Sequence, residues 1–226
     1  MKAVILISGN GSNLQSIMDH ADGIDLQISA VVSNNMNAYG LKRAELGNIK
    51  THFVDPKKFN TRDDFDQEMI KIIDSFSIEL IILASYMRIL SPLFIHHFSG
   101  KILNIHPSLL PKYPGLDTHQ RAINASDTHH GATVHFVTEK LDGGPIISQE
   151  VVTIENNDTA SSLAKKVLKK EHSLYPKVIH WYTQRRLKLE NEVSASLDGI
   201  MICLQGVPSP LQHHFFLAYQ KRIALS

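Results

Sequence analysis

The sequence predicts an α/β fold: a Rossmann-like, mostly parallel sheet with flanking helices. Short apolar runs rich in valine and isoleucine recur along the first half of the chain, and segments with helical spacing separate them. Near-continuous apolar strands are typical of parallel sheets, because crossover helices cover both faces. Right-handed crossovers between such strands favour a doubly wound arrangement.

The elements of the first half follow from these patterns in chain order. Strands are expected at residues 3–8, 26–33, 78–85 and 101–106. A first helix is expected over residues 12–21, with Ser12 or Asn13 as its N-cap, since both residue types cap well. A second helix is predicted over residues 62–76, where apolar side chains share one face and acids occupy the first turn.

The pattern changes in the second half of the chain. Residues 131–154 alternate with a two-residue period and break at the sequence DGG, which predicts two extended strands around a turn. Residues 158–186 have helical spacing, with Asp158 or Thr159 as the cap. Pro176 lies inside this segment and predicts either a kink or a helix boundary.

Composition restricts the classes of function. The 226 residues are 43% hydrophobic and 20% charged, with a net charge of +1 and no long basic block, which disfavours nonspecific binding of nucleic acid. The N-terminal apolar run is too short for a signal peptide, and no run approaches the roughly 20 apolar residues of a membrane span. Cys203 is the single cysteine and is expected to be a small buried hydrophobe. We therefore expect a cytoplasmic protein with no membrane or nucleic-acid partner.

A glycine-containing turn follows the first predicted strand. Residues 8–14 have the sequence SGNGSNL and lead into the first predicted helix. Glycines allow the backbone to approach an anion, and the first N–H groups of a helix are unpaired, so a phosphate is the natural ligand. Leu14 stands where the dinucleotide fingerprint has its third glycine, and no Walker lysine follows. An ordinary strand–helix turn is the alternative interpretation.

Two polar residues close the strand at residues 101–106. Asn104 and His106 are two positions apart, so their side chains point to one face at the strand end, where open α/β sheets bind ligands. An asparagine amide can donate to a developing oxyanion, and a histidine can relay a proton near neutral pH. Neither is a nucleophile, which favours direct attack by a substrate group. Asp142 is a candidate partner for a protonated imidazole, or else an ordinary turn residue.

Three further features leave alternatives open. Arg88 lies among apolar residues and is either an anchor for an anionic ligand or a snorkelling side chain. Glu171 lies on a predicted helix, where a charge usually faces solvent. Histidines occur in adjacent pairs at residues 96–97, 129–130 and 213–214, and adjacent side chains on a helix point apart, so such pairs hold a metal poorly. No cluster has the spacing of a zinc site, so we predict no catalytic metal.

Five sequence stretches together resemble one family. They are ISGNGSNLQ, SYMRILSP, LNIHPSLLPKYPG, GATVHFVTEKLDGGP and EHSLYP, in that order and at similar spacing. Their combination is similar to the phosphoribosylglycinamide formyltransferases, from Lys2 to about Arg186. HPSLLP alone would indicate only the wider superfamily of folate-dependent formyltransferases. The resemblance implies the formyltransferase fold.

The resemblance also implies an activity and a set of site residues. It implies transfer of the formyl group of 10-formyltetrahydrofolate to the amine of 5-phosphoribosylglycinamide, in the synthesis of IMP and other purines. The implied catalytic residues are Asn104, His106 and Asp142. The implied substrate-binding residues are Gly11, Ser12, Asn13 and Glu171. The implied folate-binding residues are Arg62, Met87, Arg88, Ile89, Leu90, Asn104, Thr138, Glu139, Lys140, Leu141 and Asp142.

Other functions are weighed against this one. Formyltetrahydrofolate hydrolase and methionyl-tRNA formyltransferase share the superfamily core, but they carry an additional N-terminal and C-terminal domain, respectively. A nucleotide-binding module without catalysis would keep the phosphate loop and would not need Asn104, His106 and Asp142 together. We expect the partners to be small-molecule substrates, and the family's behaviour is compatible with a homodimer.

The sequence also predicts a domain division and one departure from the family pattern. Residues 1–186 are expected to form the catalytic domain, with a phosphate-binding half at about 1–100 and a folate-binding half at about 101–186. The role of the extension at 187–226, near whose end a short helix is expected, is not indicated. Asp117 stands where many family members have a histidine. The Leu110–Pro111 peptide bond is a candidate for the cis form.

Overall fold

A computed structural model describes residues 1–202 of the chain. Cys203 and the short helix expected near the end of the chain lie outside the described residues.

Helices and strands alternate along the chain as the apolar pattern predicts. The first half contains β1 (Lys2–Ile7), α1 (Ser12–His20), β2 (Gln27–Ser33), α2 (Tyr39–Leu46), β3 (Thr51–Phe53), α3 (Arg62–Asp74), β4 (Leu80–Leu83) and α4 (Pro92–His97). The second half contains β5 (Ile102–His106), α5 (Thr118–Asn124), β6 (His129–Phe136), β7 (Ile146–Thr153), α6 (Ala160–Thr183), β8 (Leu187–Asn191), β9 (Ser194–Leu197) and β10 (Ile200–Ile202).

A seven-stranded sheet forms the centre of the molecule, with the order β3-β2-β1-β4-β5-β6-β7. The first five strands pair in parallel, and β6 runs antiparallel to both β5 and β7. The predicted fold class, the strands and the hairpin are therefore confirmed. The sequence analysis missed β3, α2, α4 and α5, because these elements are too short to show a clear period.

Two apolar layers cover opposite faces of this sheet. Along β1, Ala3, Ile5 and Ile7 pack into a core that includes Leu14 of α1 and residues of α6. The alternate residues of β1 pack on the other face, against Phe65 of α3 and residues of α4. A strand buried on both faces explains why the N-terminal run is apolar at every position.

The N-cap of α1 is Gly11, so the prediction of Ser12 or Asn13 is wrong. Gly11 has φ 76°, and a Cβ atom there would lie 2.6 Å from the Cα of Gly40. The first turn of α2 therefore packs directly on the loop that precedes α1. A glycine satisfies this left-handed conformation and close approach, and that requirement overrides the capping preference of serine and asparagine.

Helix α6 runs uninterrupted through Pro176, so the predicted boundary at this residue is wrong. Thr159 caps the helix and exchanges hydrogen bonds with Ser162 in a capping box. Because proline lacks an N–H group, the carbonyl of His172 loses its intrahelical donor. The hydroxyl of Ser16, on α1, donates to this carbonyl at 2.7 Å, which ties the two helices together.

After α6 the described chain continues in a small antiparallel sheet of order β10-β9-β8. Within residues 1–202, the helices include none of sufficient length and apolarity to cross a membrane.

Candidate active site

The loops that the sequence analysis selected meet at one edge of the sheet. Strands β1, β4 and β5 are neighbours and parallel, so the loops that follow them at residues 8–11, 84–91 and 107–117 leave the same edge. The carboxyl ends of parallel strands are where open α/β sheets bind ligands. The sheet topology thus places the phosphate-loop candidate and the Asn104–His106 pair on one side of the molecule.

Asn104, His106 and Asp142 come together as a group of polar side chains. The His106 Nδ1 atom lies 3.4 Å from Asp142 Oδ2, and both side chains are largely buried. Asp142 reaches this position from the β6–β7 connection, where it adopts φ 48°. Asn104 lies two positions before His106 on β5, so the two side chains point to the same face of the sheet. A carboxylate beside a histidine and a neighbouring amide can stabilise an imidazolium and a developing oxyanion.

His135 orients the Asn104 amide. The two residues are paired across β5 and β6, and Asn104 Nδ2 lies 3.1 Å from His135 Nε2. The other ring nitrogen, Nδ1, donates to the carbonyl of Phe136 at 2.8 Å, so Nε2 accepts from Asn104. Burial lowers the pKa of His135 to about 4, which keeps the ring neutral and this acceptor available. This hydrogen bond to His135 involves one of the two N–H groups of the Asn104 amide and does not involve the second.

A loop after β5 holds both His106 and Asp142. His106 Nε2 donates to the carbonyl of Tyr113 at 2.8 Å, and the N–H of Gly115 donates to Asp142 Oδ2 at 2.8 Å. Because Nε2 carries the proton of this hydrogen bond, Nδ1 is the ring nitrogen that faces Asp142. The Leu110–Pro111 bond in this loop is cis, as the sequence analysis suggested.

The start of α1 and the middle of α6 form a second polar group. Asn13 Nδ2 donates to Glu171 Oε2 at 2.7 Å, and both residues are buried. Burial raises the pKa of the Glu171 carboxyl above its ordinary value, and the Asn13 hydrogen bond opposes this rise. The expectation that Glu171 is an ordinary solvent-facing helix charge is wrong, since it is only 6% exposed. Gly11 and Ser12 begin the same helix, with their backbone beside this pair.

The segment after β4 exposes apolar side chains at the sheet edge. Met87 is 68% exposed and Ile89 is 51% exposed, whereas Leu90 is buried. The Arg88 guanidinium lies over the ring of Phe65, 4.3 Å from its centroid, and the Arg88 Nε atom has no hydrogen-bond partner in the described structure. Exposed methionine and isoleucine beside a stacked arginine offer a surface for a flat, partly anionic ligand.

The start of α3 packs against the same segment. Asp66 Oδ2 accepts from the backbone N–H of Ser91 at 2.6 Å, and the charges of Arg62 and Arg88 both act on Asp66. Burial nevertheless raises the pKa of Asp66. Arg62, the first residue of α3, is exposed near this contact.

Residues 138–142 form the connection between β6 and β7. Glu139 pairs with His96 of α4 at 2.6 Å, so the connection leans toward the helix that follows the Met87–Leu90 segment. Leu141 is 52% exposed, and Lys140 packs its side chain over Gly143. Gly144 is buried against the Phe136 carbonyl, where a Cβ atom would clash, which explains the glycine at this position. Thr138 lies in contact with the same glycine.

Several residues of the site were missed by the sequence analysis. His135 and the backbone groups of Tyr113 and Gly115 orient the catalytic candidates, and no local pattern marks such contacts. The sequence analysis also did not predict the contacts of the Ser8 side chain. Its hydroxyl accepts from the Met87 N–H at 2.9 Å and donates to Asn34 at 2.6 Å, which connects the loops after β1, β2 and β4.

Asp117 precedes α5 with φ 56° and makes no side-chain capping bond. It is exposed and lies two residues after Gly115. Residues 1–202 include no group of three or more histidine, cysteine, aspartate or glutamate side chains arranged to hold a metal ion.

The fold and this polar edge define a formyltransferase-type α/β enzyme. The family model described as formyl transferase matches residues 1–179. The phosphoribosylglycinamide formyltransferase of Escherichia coli (strain K12) is 47% identical over 208 residues, which cover 91% of this chain and 98% of that protein. The trifunctional purine biosynthetic protein adenosine-3 of Homo sapiens is 41% identical over 177 residues, which cover 77% of this chain and 18% of that protein.

Solved structures agree with these sequence matches. The phosphoribosylglycinamide formyltransferase structure from Coxiella burnetii has a TM-score of 0.86 and 45% identity, and the match covers 90% of this chain and 96% of that one. The chain belongs to the phosphoribosylglycinamide formyltransferase family, whose enzymes transfer a formyl group in purine biosynthesis. The alternative of a formyltetrahydrofolate hydrolase is not favoured.

Proposed function

We propose that the amine of 5-phosphoribosylglycinamide attacks the formyl carbon of 10-formyltetrahydrofolate directly at this edge of the sheet. The observation that carries the proposal is the grouping of Asn104, His106 and Asp142, with His106 Nδ1 at 3.4 Å from Asp142 Oδ2. These side chains supply hydrogen-bond donors and a carboxylate, and the group includes no serine, threonine or cysteine. An amine substrate supplies its own nucleophile, so no covalent enzyme intermediate is required.

The proposed phosphate site is the start of α1. Backbone N–H groups of Gly11, Ser12 and Asn13 lie in the unpaired first turn, which favours an anion. Glu171, buried beside Asn13, is then placed to accept hydrogen bonds from the glycinamide part of the same substrate. The Asn13 hydrogen bond only partly offsets the cost of burying the Glu171 carboxylate, so a further hydrogen bond from the substrate would stabilise it.

The proposed folate site lies between the segment after β4 and the β6–β7 connection. The exposed side chains of Met87 and Ile89 supply apolar surface, and Arg88 supplies a cation. The proposed contacts from these elements and from α3 are Arg62, Met87, Arg88, Ile89, Leu90, Thr138, Glu139, Lys140, Leu141 and Asp142. Asn104 would contact the formyl group of the same molecule.

Attack forms a C–N bond and converts the formyl oxygen into an oxyanion. The second N–H of Asn104 and the Nδ1–H of protonated His106 donate to this oxyanion, because His106 Nε2–H is already held by Tyr113. The 3.4 Å separation between Nδ1 and Asp142 Oδ2 is longer than a strong charge-assisted hydrogen bond, so the carboxylate stabilises the imidazolium by its charge and leaves the Nδ1–H to donate to the oxyanion.

Collapse of the tetrahedral intermediate breaks the bond between the formyl carbon and N10 of the folate. The attacking amine loses a proton, and the departing N10 gains one. Asp142 is the proposed group that assists this transfer, directly or through a water molecule. The products are formylated glycinamide ribotide and tetrahydrofolate.

Two expectations about larger organisation stay predictions. The division into a phosphate-binding half at about 1–100 and a folate-binding half at about 101–186 is one, although the proposed contacts at Arg62 and Met87–Leu90 fall in the first half. A homodimer is the other, and light scattering of the purified protein measures it.

The test of the function is an absorbance assay of folate product with purified protein. Product should form when both 10-formyltetrahydrofolate and 5-phosphoribosylglycinamide are present and should require the amine substrate. Folate release at the same rate without the amine would identify a hydrolase and overturn the proposal.

A further inference from the structure

We infer that Asp127 is a positioning residue for formyl transfer, which holds the loop that in turn holds His106 and Asp142. The inference rests on the function proposed above, because it assigns a role to a residue outside the proposed contacts with either substrate. The loop comprises residues 111–117 and is called the support loop here.

The support loop contacts the catalytic group through its backbone. The carbonyl of Tyr113 accepts from His106 Nε2, and the N–H of Gly115 donates to Asp142 Oδ2, both at 2.8 Å. A shift of the loop therefore moves or releases the imidazole and the carboxylate together. Misplacement of reacting groups by about 1 Å can cost about 10²-fold in rate.

Asp127 fastens the first part of this loop to the connection between α5 and β6. Its two carboxylate oxygens accept from Lys112 Nζ at 2.9 and 3.0 Å, and Oδ2 also accepts from the Tyr113 hydroxyl at 2.8 Å. The Asp127 backbone is itself fixed by its N–H, which donates to the Ala122 carbonyl at 3.1 Å. Although desolvation opposes it, hydrogen bonds from Lys112 and Tyr113 lower the pKa of Asp127, so the carboxylate stays charged near neutral pH.

Tyr113 is consequently held at both ends. Its hydroxyl is bound by Asp127, and its carbonyl is bound by His106. Tyr113 also has φ 57°, a left-handed conformation that is unfavourable for a bulky residue and persists when surrounding contacts maintain it. Loss of the Asp127 carboxylate removes two contacts that maintain this conformation, from Lys112 and from the tyrosine hydroxyl.

The second part of the loop has a separate anchor. Arg121 donates to the carbonyls of Pro114 at 2.6 Å and Leu116 at 3.2 Å, and its guanidinium lies over the Tyr113 ring. Since these contacts survive a change at Asp127, the loop should loosen at Tyr113 rather than detach. The effect should therefore fall on the His106 side of the catalytic group and spare substrate binding.

The test compares Asp127→Asn and Asp127→Glu with wild type. For Asp127→Asn, we expect kcat to fall about 10-fold, within the roughly 10²-fold that misplacement can cost, with both KM values close to wild type. Asp127→Glu keeps the charge and should recover most of the lost kcat. Tyr113→Phe removes one of the two anchoring contacts and should give a smaller fall, which provides a second measurement if Asp127→Asn folds poorly.

Asp158→Asn is the matched control. Asp158 also accepts from a lysine, Lys166 at 2.6 Å, and its pKa is lowered to about 2 by hydrogen bonds led by Lys166. It lies just before α6, thirteen positions from Glu171, and its side chain accepts hydrogen bonds from Glu155, Ser162 and Lys166 rather than from the support loop. The Asp158→Asn substitution should change the thermal stability of the protein without lowering kcat.

The outcomes separate the inference from the proposed function. Wild-type kcat in folded Asp127→Asn and Tyr113→Phe proteins, with His106→Ala inactive, would overturn the role of Asp127 and leave the proposed function standing. A fall in kcat equal to that of Asp158→Asn would also overturn it, since the effect would then be general. An inactive wild-type protein would overturn the proposed function and this inference with it.

Discussion

The proposed site at the sheet edge has a phosphate end and a chemical end, and the two are built from different kinds of group. At the phosphate end, the proposed binding groups are backbone N–H groups at the start of α1, where Gly11 and Gly40 are in close contact. At the chemical end, the groups are side chains of Asn104, His106 and Asp142, each oriented by another residue. The phosphate end therefore depends on the path of the backbone, whereas the chemical end depends on hydrogen bonds between side chains and their neighbours.

This difference indicates which changes each end tolerates. Backbone donors do not titrate, and only a substitution to proline removes one, so among the other substitutions the phosphate end is vulnerable mainly to an added Cβ atom. Side-chain donors can be removed one at a time and depend on protonation. The predictions below test this contrast, beginning with the largest expected effect.

The largest losses are expected at the chemical end. Asn104→Ala, His106→Ala and Asp142→Asn should each lower kcat by about 10²–10³-fold, the range found when one oxyanion donor is removed. Thermal stability should change modestly by comparison. Steady-state kinetics with both substrates and a thermal melt of each variant measure these effects.

Near wild-type turnover in folded His106→Ala protein would contradict the mechanism. A variant that lost activity only because it failed to fold would show a lowered melting temperature, which distinguishes the two causes.

The phosphate end should instead be broken by one methyl group. Gly11→Ala places a Cβ atom 2.6 Å from Gly40 Cα in a residue with φ 76°. Such strain costs on the order of 1–3 kcal/mol, and relief by backbone movement would displace the N–H groups. We expect KM for the ribotide to rise about tenfold or more, given that 1.4 kcal/mol corresponds to tenfold.

Gly23→Ala is the matched control, since a Cβ atom there meets nothing within 4 Å. Its kinetics should equal those of wild type. An unchanged ribotide KM in Gly11→Ala would show that the start of α1 is not the phosphate site.

Glu171 is the exception within the phosphate end, because it is a titratable side chain. Its folded-state pKa is raised by burial, so the folded protein binds more protons than the unfolded chain just above pH 4.5. Stability contributed by this group is therefore lost as pH rises through the raised pKa. Glu171→Gln should raise the melting temperature at pH 7 more than at pH 4.5, and should weaken ribotide binding.

Melting curves at the two pH values and ribotide KM measure both effects. An equal change in melting temperature at both pH values would mean that the Glu171 carboxyl is not perturbed by burial in solution.

The smallest effect is expected at Asp117, the exposed last residue of the support loop. Asp117→His replaces a negative charge near an anionic substrate with a neutral or positive ring. We expect a lower KM for the ribotide, by a few fold at most, because exposed charges contribute on the order of 1 kcal/mol or less. The effect should shrink at high salt, since screening shortens electrostatic reach. A change that does not depend on salt would indicate a steric cause.

The sequence predicted most of the sheet and the longer helices because apolar periodicity is a local property. The near-continuous run in β1 and the alternation in β6 and β7 were sufficient for strand type. The polar pair Asn104 and His106 indicated the proposed ligand edge, Asp142 was already a candidate partner of the imidazole, and the family resemblance supplied Glu171 at the phosphate end.

The remaining features depend on contacts between distant segments. His135 faces Asn104 only because β5 and β6 pair in one register, and alternation does not specify that register. Gly11 replaced the expected serine cap because α2 packs on it. Tyr113 and Gly115 act through backbone atoms, which the residue type does not reveal.

Pro176 has a consequence for protein engineering. By helix propensity alone, this proline is among the poorest residues for the interior of α6, and alanine would improve the helix by about 3 kcal/mol. Alanine would also restore the N–H that competes with Ser16 for the His172 carbonyl. Ser16 lies one turn after Asn13, and His172 follows Glu171. Replacing Pro176 by alanine would therefore make α6 more regular. It would also disturb the alignment of α1 with α6 and the proposed ribotide site between them.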